Sequence, residues 1–198
     1  MGSAAGAVLA ADGVAAAAAS AAAVRRGAGR PMDWRRWIRH SFATGTALRR
    51  AFPPDTLAAI EAAVDQSERE HSGEIRFAIE AALEPGHAGS GKAPRERALE
   101  VFAGLGVWDT AANNGVLIYV LLADHDVEIV ADRGFNACVQ PDQWSAVCRE
   151  MERQFRAGSF RDGALSGVRA VGSIIAAHYP SRPGLRDADE LPNRPVVL

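Results

Sequence analysis

Nine consecutive apolar residues, Gly115–Ala123 (GVLIYVLLA), leave this chain few ways to fold. A stretch with no polar face is buried on both sides, as an inner strand of a sheet is. It is also well short of the roughly 20 residues a membrane-spanning helix needs. Only Asp124-His125-Asp126 separates it from a second segment, in which Val127, Ile129 and Ala131 alternate with Glu128, Val130 and Asp132. Alternation of this kind suits a half-exposed neighbour. An antiparallel hairpin is the simplest reading, and it brings Asn113-Asn114 and Asp132-Arg133 to one rim.

The rest of the chain supplies what such a hairpin packs against. Pro53-Pro54-Asp55 opens a helix with Asp55 as its expected cap, and Leu57, Ile60 and Val64 form its buried stripe. Glu74–Leu83 reads as a strand, and Glu84–Ala93 as a Gly-rich loop. Pro94 starts a helix that turns Ala98, Val101, Phe102 and Leu105 inward. Pro141 starts another, with Trp144, Val147, Cys148, Met151 and Phe155 on one stripe. A last helix begins at Ser159, with Asp162 completing a capping box, and runs through Val168, Val171 and Ile175 to about Tyr179. Gly163 and Gly167 would let it approach its neighbour closely. The order is α–β–α–β–β–α–α. Two strands joined through a helix in one sheet form a right-handed parallel crossover, so the expected fold class is α/β, a small mixed sheet sandwiched by helices.

Composition narrows the function classes. With 198 residues, 48% of them hydrophobic, and a formal charge of −2, the chain has the make-up of a soluble protein with one real core. It lacks the basic footprint of a nucleic-acid binder. Cys138 and Cys148 are too few for a zinc site, and Cys148 falls on an apolar helix face, as a buried reduced thiol would. The segment GHAGSGK (86–92) imitates a phosphate-binding loop between a strand and a helix. However, Ala93 stands where the magnesium-binding hydroxyl should be, Pro94 removes an N–H from the helix start, and the sheet is too small. His40, His71, His87, His125 and His178 are scattered over caps, loops and turns.

The ends read differently. Residues 1–31 contain fourteen alanines and no aromatic residue, an expected disordered or loosely helical extension rather than an export signal; Met32 is an alternative start to Met1. In residues 32–52, Trp34, Trp37, Ile38 and Ser41 oppose Arg35, Arg36 and Arg39. Such a basic amphipathic segment either lies on anionic lipid or packs its tryptophans onto the domain. Residues 53–180 form the expected domain, and 181–198 a flexible tail that closes on Val196-Val197-Leu198. That end suits capture by a partner through strand addition or its carboxylate, a return onto its own domain, or a plain linker. The expectation is a monomeric cytoplasmic protein, with peripheral membrane contact through Trp34 and Trp37 as the further option and a protein partner of unspecified identity.

Strand directions place a candidate site. The entry to the first strand, the start of the second and the end of the third share one rim, to which the crossover helix also returns through Val107–Thr110. Asp109, Asn113, Asn114 and Asp132 there offer the hard oxygens that Ca²⁺ or Mg²⁺ takes, and Gly115 and Gly134 let backbone come close. Loops also use Asn, Asp and Gly without any ligand. At SGEIRFAIE (72–80), RERALEVFAGLGVWDTAANNGVLIYVLLADHDVEIVADRG (95–134) and FRAGSFRDGALSGVRAVGSIIAAHYP (155–180), the sequence resembles the TPM domain family, named for plant thylakoid, cyanobacterial photosystem-associated and animal receptor-accessory members. The resemblance implies a compact α/β sandwich with a polar crevice, Ca²⁺-type metal binding in some members and acid phosphatase activity in others. By position, Asp109, Asn113, Asn114 and Asp132 fall in that crevice. The family's usual Asp-Asn-Gly is here Asn113-Asn114-Gly115, one carboxylate fewer. The export signal and C-terminal membrane helix of many bacterial members are not evident. The expected role is a binding or accessory module, metal-responsive, that assists an envelope or membrane-associated complex. The alternative is a metal-assisted phosphomonoesterase, with the ion on Asp109 and Asp132 and phosphate on Arg133 and the helix start at Pro141. No nucleophile or tuned base is obvious for it.

Overall fold

Residues Gly115–Leu121 are an inner strand, buried at every position. The computed structural model describes residues 45–83, 93–181 and 190–198. The helices are α1 (Gly45–Ala51), α2 (Pro54–Glu68), α3 (Pro94–Gly104), α4 (Pro141–Arg156) and α5 (Phe160–His178). The strands are β1 (Glu74–Glu80), β2 (Gly115–Leu121), β3 (Asp126–Ala131) and β4 (Val196–Val197). They form one mixed sheet in the order β3-β2-β1-β4. β1 and β2 are parallel from Glu74↔Gly115 to Glu80↔Leu121. β3 returns antiparallel on β2 from Val116↔Ala131 to Leu121↔Asp126, the α/β crossover and hairpin that the pattern predicts.

The period of two along the strands divides the core into two layers. Ile75, Phe77, Ile79, Val116, Ile118 and Val120 face one side, against α1, α2, α4 and α5. Ala78, Leu117, Tyr119 and Leu121 face the other, against Ala98 and Val101 of α3. Gly163 and Gly167 do bring α5 onto α4: a Cβ at Gly163 would stand 2.7 Å from the Phe155 ring, and one at Gly167 would collide with the Met151 sulfur.

Several local expectations give way. Pro54 occupies the first turn of α2 and sets its start, so Pro53 is the capping position and Asp55 lies inside the helix. Asp55 instead meets Arg161 at 3.2 Å. Ser159 makes no side-chain cap on α5; its N–H is already turned back to the Gln154 carbonyl at 3.0 Å. β1 ends at Glu80, three residues short of Leu83. Residues 190–198, read from sequence as part of a flexible tail, run along the open edge of β1. Val196 and Val197 pair parallel with Ala78 and Ile79. A strand edge presents unpaired N–H and C=O groups, and this segment supplies their partners. Residues 1–44 and 84–92, and with them the alanine-rich stretch, Trp34, Trp37 and the GHAGSGK loop, lie outside the described residues. Among the described residues no helix is long and apolar enough to cross a membrane.

Candidate functional site

The rim is built from the loop before β2 and the turn after β3. Thr110 shapes the first: its hydroxyl accepts the Asn114 N–H at 3.0 Å, and its carbonyl accepts that of Asn113 at 3.1 Å. Asn113 takes up a left-handed backbone at φ 53, a conformation asparagine tolerates better than most residues. Gly115 is required here, since a Cβ would run into the Val107 carbonyl.

Asn114 is buried. Its Nδ2 donates to the Ser72 carbonyl at 2.7 Å, while its Oδ1 is buried with no partner. Asp132 lies across from the next residue, Gly115, its N–H bonded to the Gly115 carbonyl at 2.9 Å. Its Oδ1 accepts the Arg133 N–H at 2.7 Å, which starts a short 3₁₀ turn over Arg133–Phe135. Its Oδ2 is buried and unpartnered. Arg133 reaches back, and its Nε donates to Asn113 Oδ1 at 2.7 Å. Gly134 completes the closure: its N–H bonds the Asn113 carbonyl at 3.0 Å, and a Cβ would lie 2.5 Å from the Tyr179 hydroxyl.

The structure therefore brings together Asn113, Asn114 and Asp132, three of the four residues expected at the site. Asp109 is exposed on the approach loop, tied through its backbone N–H to the Gly106 carbonyl at 2.9 Å. Its carboxylate joins none of the other three among the described residues. Sequence reasoning gave no role to Thr110, Ser72, His71 or Tyr179. Tyr179 stands at the exit of α5; its ring meets Phe135 edge-on at 5.0 Å, and its carbonyl accepts the Ser72 N–H at 2.9 Å. Burial, then Cys138 and Asp132, hold its hydroxyl pKa above the ordinary range. His71 is buried with Nε2 3.0 Å from Ser67 Oγ; burial lowers its pKa, against the raising influence of the Gly73 backbone and Glu70. The signal for Ser72, His71 and Tyr179 was their nearness in sequence to Gly73 and Pro180, and for Thr110 its place at the end of the Val107–Thr110 return.

A model of the TPM domain matches residues 48–174, from within α1 to within α5. The chain belongs to the TPM domain family. Among solved structures, the NMR structure of the BA42 protein from the psychrophilic bacterium Bizionia argentinensis is similar at 33% identity, with a TM-score of 0.63 over 72% of this chain and 92% of that one. No curated protein matches the chain. The matched stretch of the TPM domain holds β1–β3 and every rim residue named above except Tyr179, and it stops short of β4.

The rim's donor set suits a hard cation only in part. Asn114 Oδ1 and Asp132 Oδ2 are oxygens of the right kind, but Asn113 Oδ1 already receives Arg133. Among the described residues no group of three or more His, Cys, Asp or Glu side chains could hold a metal.

Proposed function

We propose that this TPM domain is a binding and accessory module whose rim takes a hard divalent cation through Asn114 Oδ1 and Asp132 Oδ2. One observation carries the reading: two buried, unpartnered oxygens at one rim of the sheet, on the residue just before β2 and the residue just after β3. Buried polar atoms nearly always have a partner, and a lone acceptor can be satisfied only by a donor or a cation. When bound, the ion supplies positive charge. Around it Ser72 orients the Asn114 amide, the Arg133 N–H holds the Asp132 carboxylate, and Arg133 Nε occupies Asn113 Oδ1. Assistance to a membrane-associated protein complex is the role in keeping with the family resemblance.

No observation favours the phosphomonoesterase alternative. The Ser67–His71 contact resembles a nucleophile and base, but Gly172 of α5 packs against it so closely that a Cβ would strike Ser67 Oγ. A substrate has no approach from that side.

Thermal melting tests the cation reading. Saturating Mg²⁺ or Ca²⁺ should raise the Tm, since a ligand at about 100 times its Kd adds roughly 2.7 kcal/mol. Asp109→Ala with Asp132→Ala should abolish the rise, while Asp124→Ala with Asp126→Ala should retain it. The reverse pattern would move the site to the hairpin turn.

A further inference from the structure

The β1 edge carries two charged side chains that hold an extended segment of chain by its backbone. Glu74 and Arg76, both buried, are unusual residues for an edge strand, and both reach the backbone of residues 190–194. The Glu74 carboxylate accepts the Glu190 N–H at 3.2 Å through Oε1 and the Leu191 N–H at 3.3 Å through Oε2. Arg76 Nη1 donates to the Arg194 carbonyl at 3.1 Å. Beyond them the Leu198 N–H bonds the Ile79 carbonyl at 2.9 Å. Leu191 is sunk in the apolar layer under α3, with Val196 packed against the same layer.

The chain's own C-terminus fills this groove incompletely. It pairs with only Ala78 and Ile79, two of β1's seven residues. Val197 remains 47% and Leu198 44% exposed. Arg76 Nε and Asn193 Oδ1 are buried at the contact without partners, and an open cleft of about 460 Å³ separates Asn193 from Ala58, Glu61, Ala62 and Asp65 of α2. The groove residues belong to the matched TPM domain, which ends at residue 174, whereas the occupant lies beyond it.

We propose that the β1 edge is a peptide-recognition groove, that its intended occupant is an extended segment of a partner protein, and that residues 190–198 are a built-in stand-in. Main-chain pairing supplies affinity and side-chain pockets supply selectivity in strand addition. The stand-in therefore reports the partner's chemistry: an apolar residue for the Leu191 pocket, prolines that keep the backbone extended, and β-branched residues against Ala78 and Ile79. Its covalent tether gives it a high effective concentration, so a partner enters only by fitting better than the tail does.

The test uses the full chain and a fluorescent peptide, ELPNRPVVL, read by anisotropy. Leu191→Asp places a carboxylate in the apolar pocket and should release the tail, seen as lost exchange protection of the Leu198 amide. The peptide should then bind at least tenfold more tightly than to wild type, and Glu74→Gln in the same chain should reverse the gain. Val196→Pro, which removes a ladder N–H, repeats the release without disturbing the Leu191 pocket. Equal affinity for released and wild-type chains, or equal affinity for a scrambled peptide, would overturn the proposal. Concentration-dependent dimerisation of the wild-type chain would assign the groove to a second copy and overturn the partner assignment.

Discussion

Tyr119 shows how a single polar group is made acceptable in a core. Its side chain is fully buried between sheet and α3, yet its hydroxyl donates to Glu80 Oε2 at 2.6 Å, an oxygen that Arg97 Nε also meets at 2.9 Å. Burial first, and then the bond to Glu80, push the Tyr119 pKa up, while the same carboxylate raises that of Arg97. A neutral tyrosine donating to a carboxylate is the favoured state. Tyr119→Phe should cost about 1.5 kcal/mol in urea denaturation, the usual worth of a hydrogen bond to a charged group. His71 makes a second residue-scale prediction. Its folded pKa lies below the unfolded 6.5 because burial penalises the imidazolium. The unfolded chain then holds the proton more readily, so the stability from neutral His71 is present above pH 6.5 and is lost as the pH falls from there towards the folded pKa. Between pH 7.5 and 5 the wild-type urea midpoint should fall more than that of His71→Gln; identical slopes would contradict this. Cys148, whose thiol burial pushes up to about 12, should resist alkylation until the chain unfolds.

At the scale of elements, patterning carried most of the information. The nine-residue apolar run could only be an inner strand, and stripes such as Trp144–Val147–Met151–Phe155 could only be one face of a helix. Period and burial are local properties, so both are legible in a single sequence. Caps were less legible: Asp55 and Ser159 are good capping types, yet the neighbouring proline and the turn out of α4 decided where each helix starts. β4 was invisible. Two valines carry no period, and their pairing depends on Glu74 and Arg76, more than a hundred residues away. Glycines separate local from tertiary demands most sharply. Gly104, at the end of α3, faces open space, whereas Gly115 lies against the Val107 backbone, which cannot yield as a flexible side chain would. Gly104→Ala should stabilise by about 0.5 kcal/mol, and Gly115→Ala should destabilise by roughly 2 kcal/mol or more, both measurable by thermal melting.

The whole molecule is a mixed sheet that gathers its chemistry at one rim and its open edge at another side. Strand direction alone predicted that Asn113, Asn114 and Asp132 would converge, because a parallel crossover followed by a hairpin fixes which strand ends meet. It put Asp109 at the same rim, but the loop that carries Asp109 follows no period, is shaped by Gly106 and the buried Val107, and leaves it exposed on the approach. It could not show that α5 would return Tyr179 and Pro180 to the His71–Ser72 turn, a contact set by helix length and packing. The central claim is that the unpartnered Asn114 and Asp132 oxygens mark a cation site, and amide NMR of the full chain during Mg²⁺ and Ca²⁺ titration tests it most directly. Saturable shifts should centre on residues 113–115 and 132–134 and vanish in Asp132→Ala. Shifts centred on Asp124–Asp126, or shifts that never saturate at millimolar cation, would contradict it.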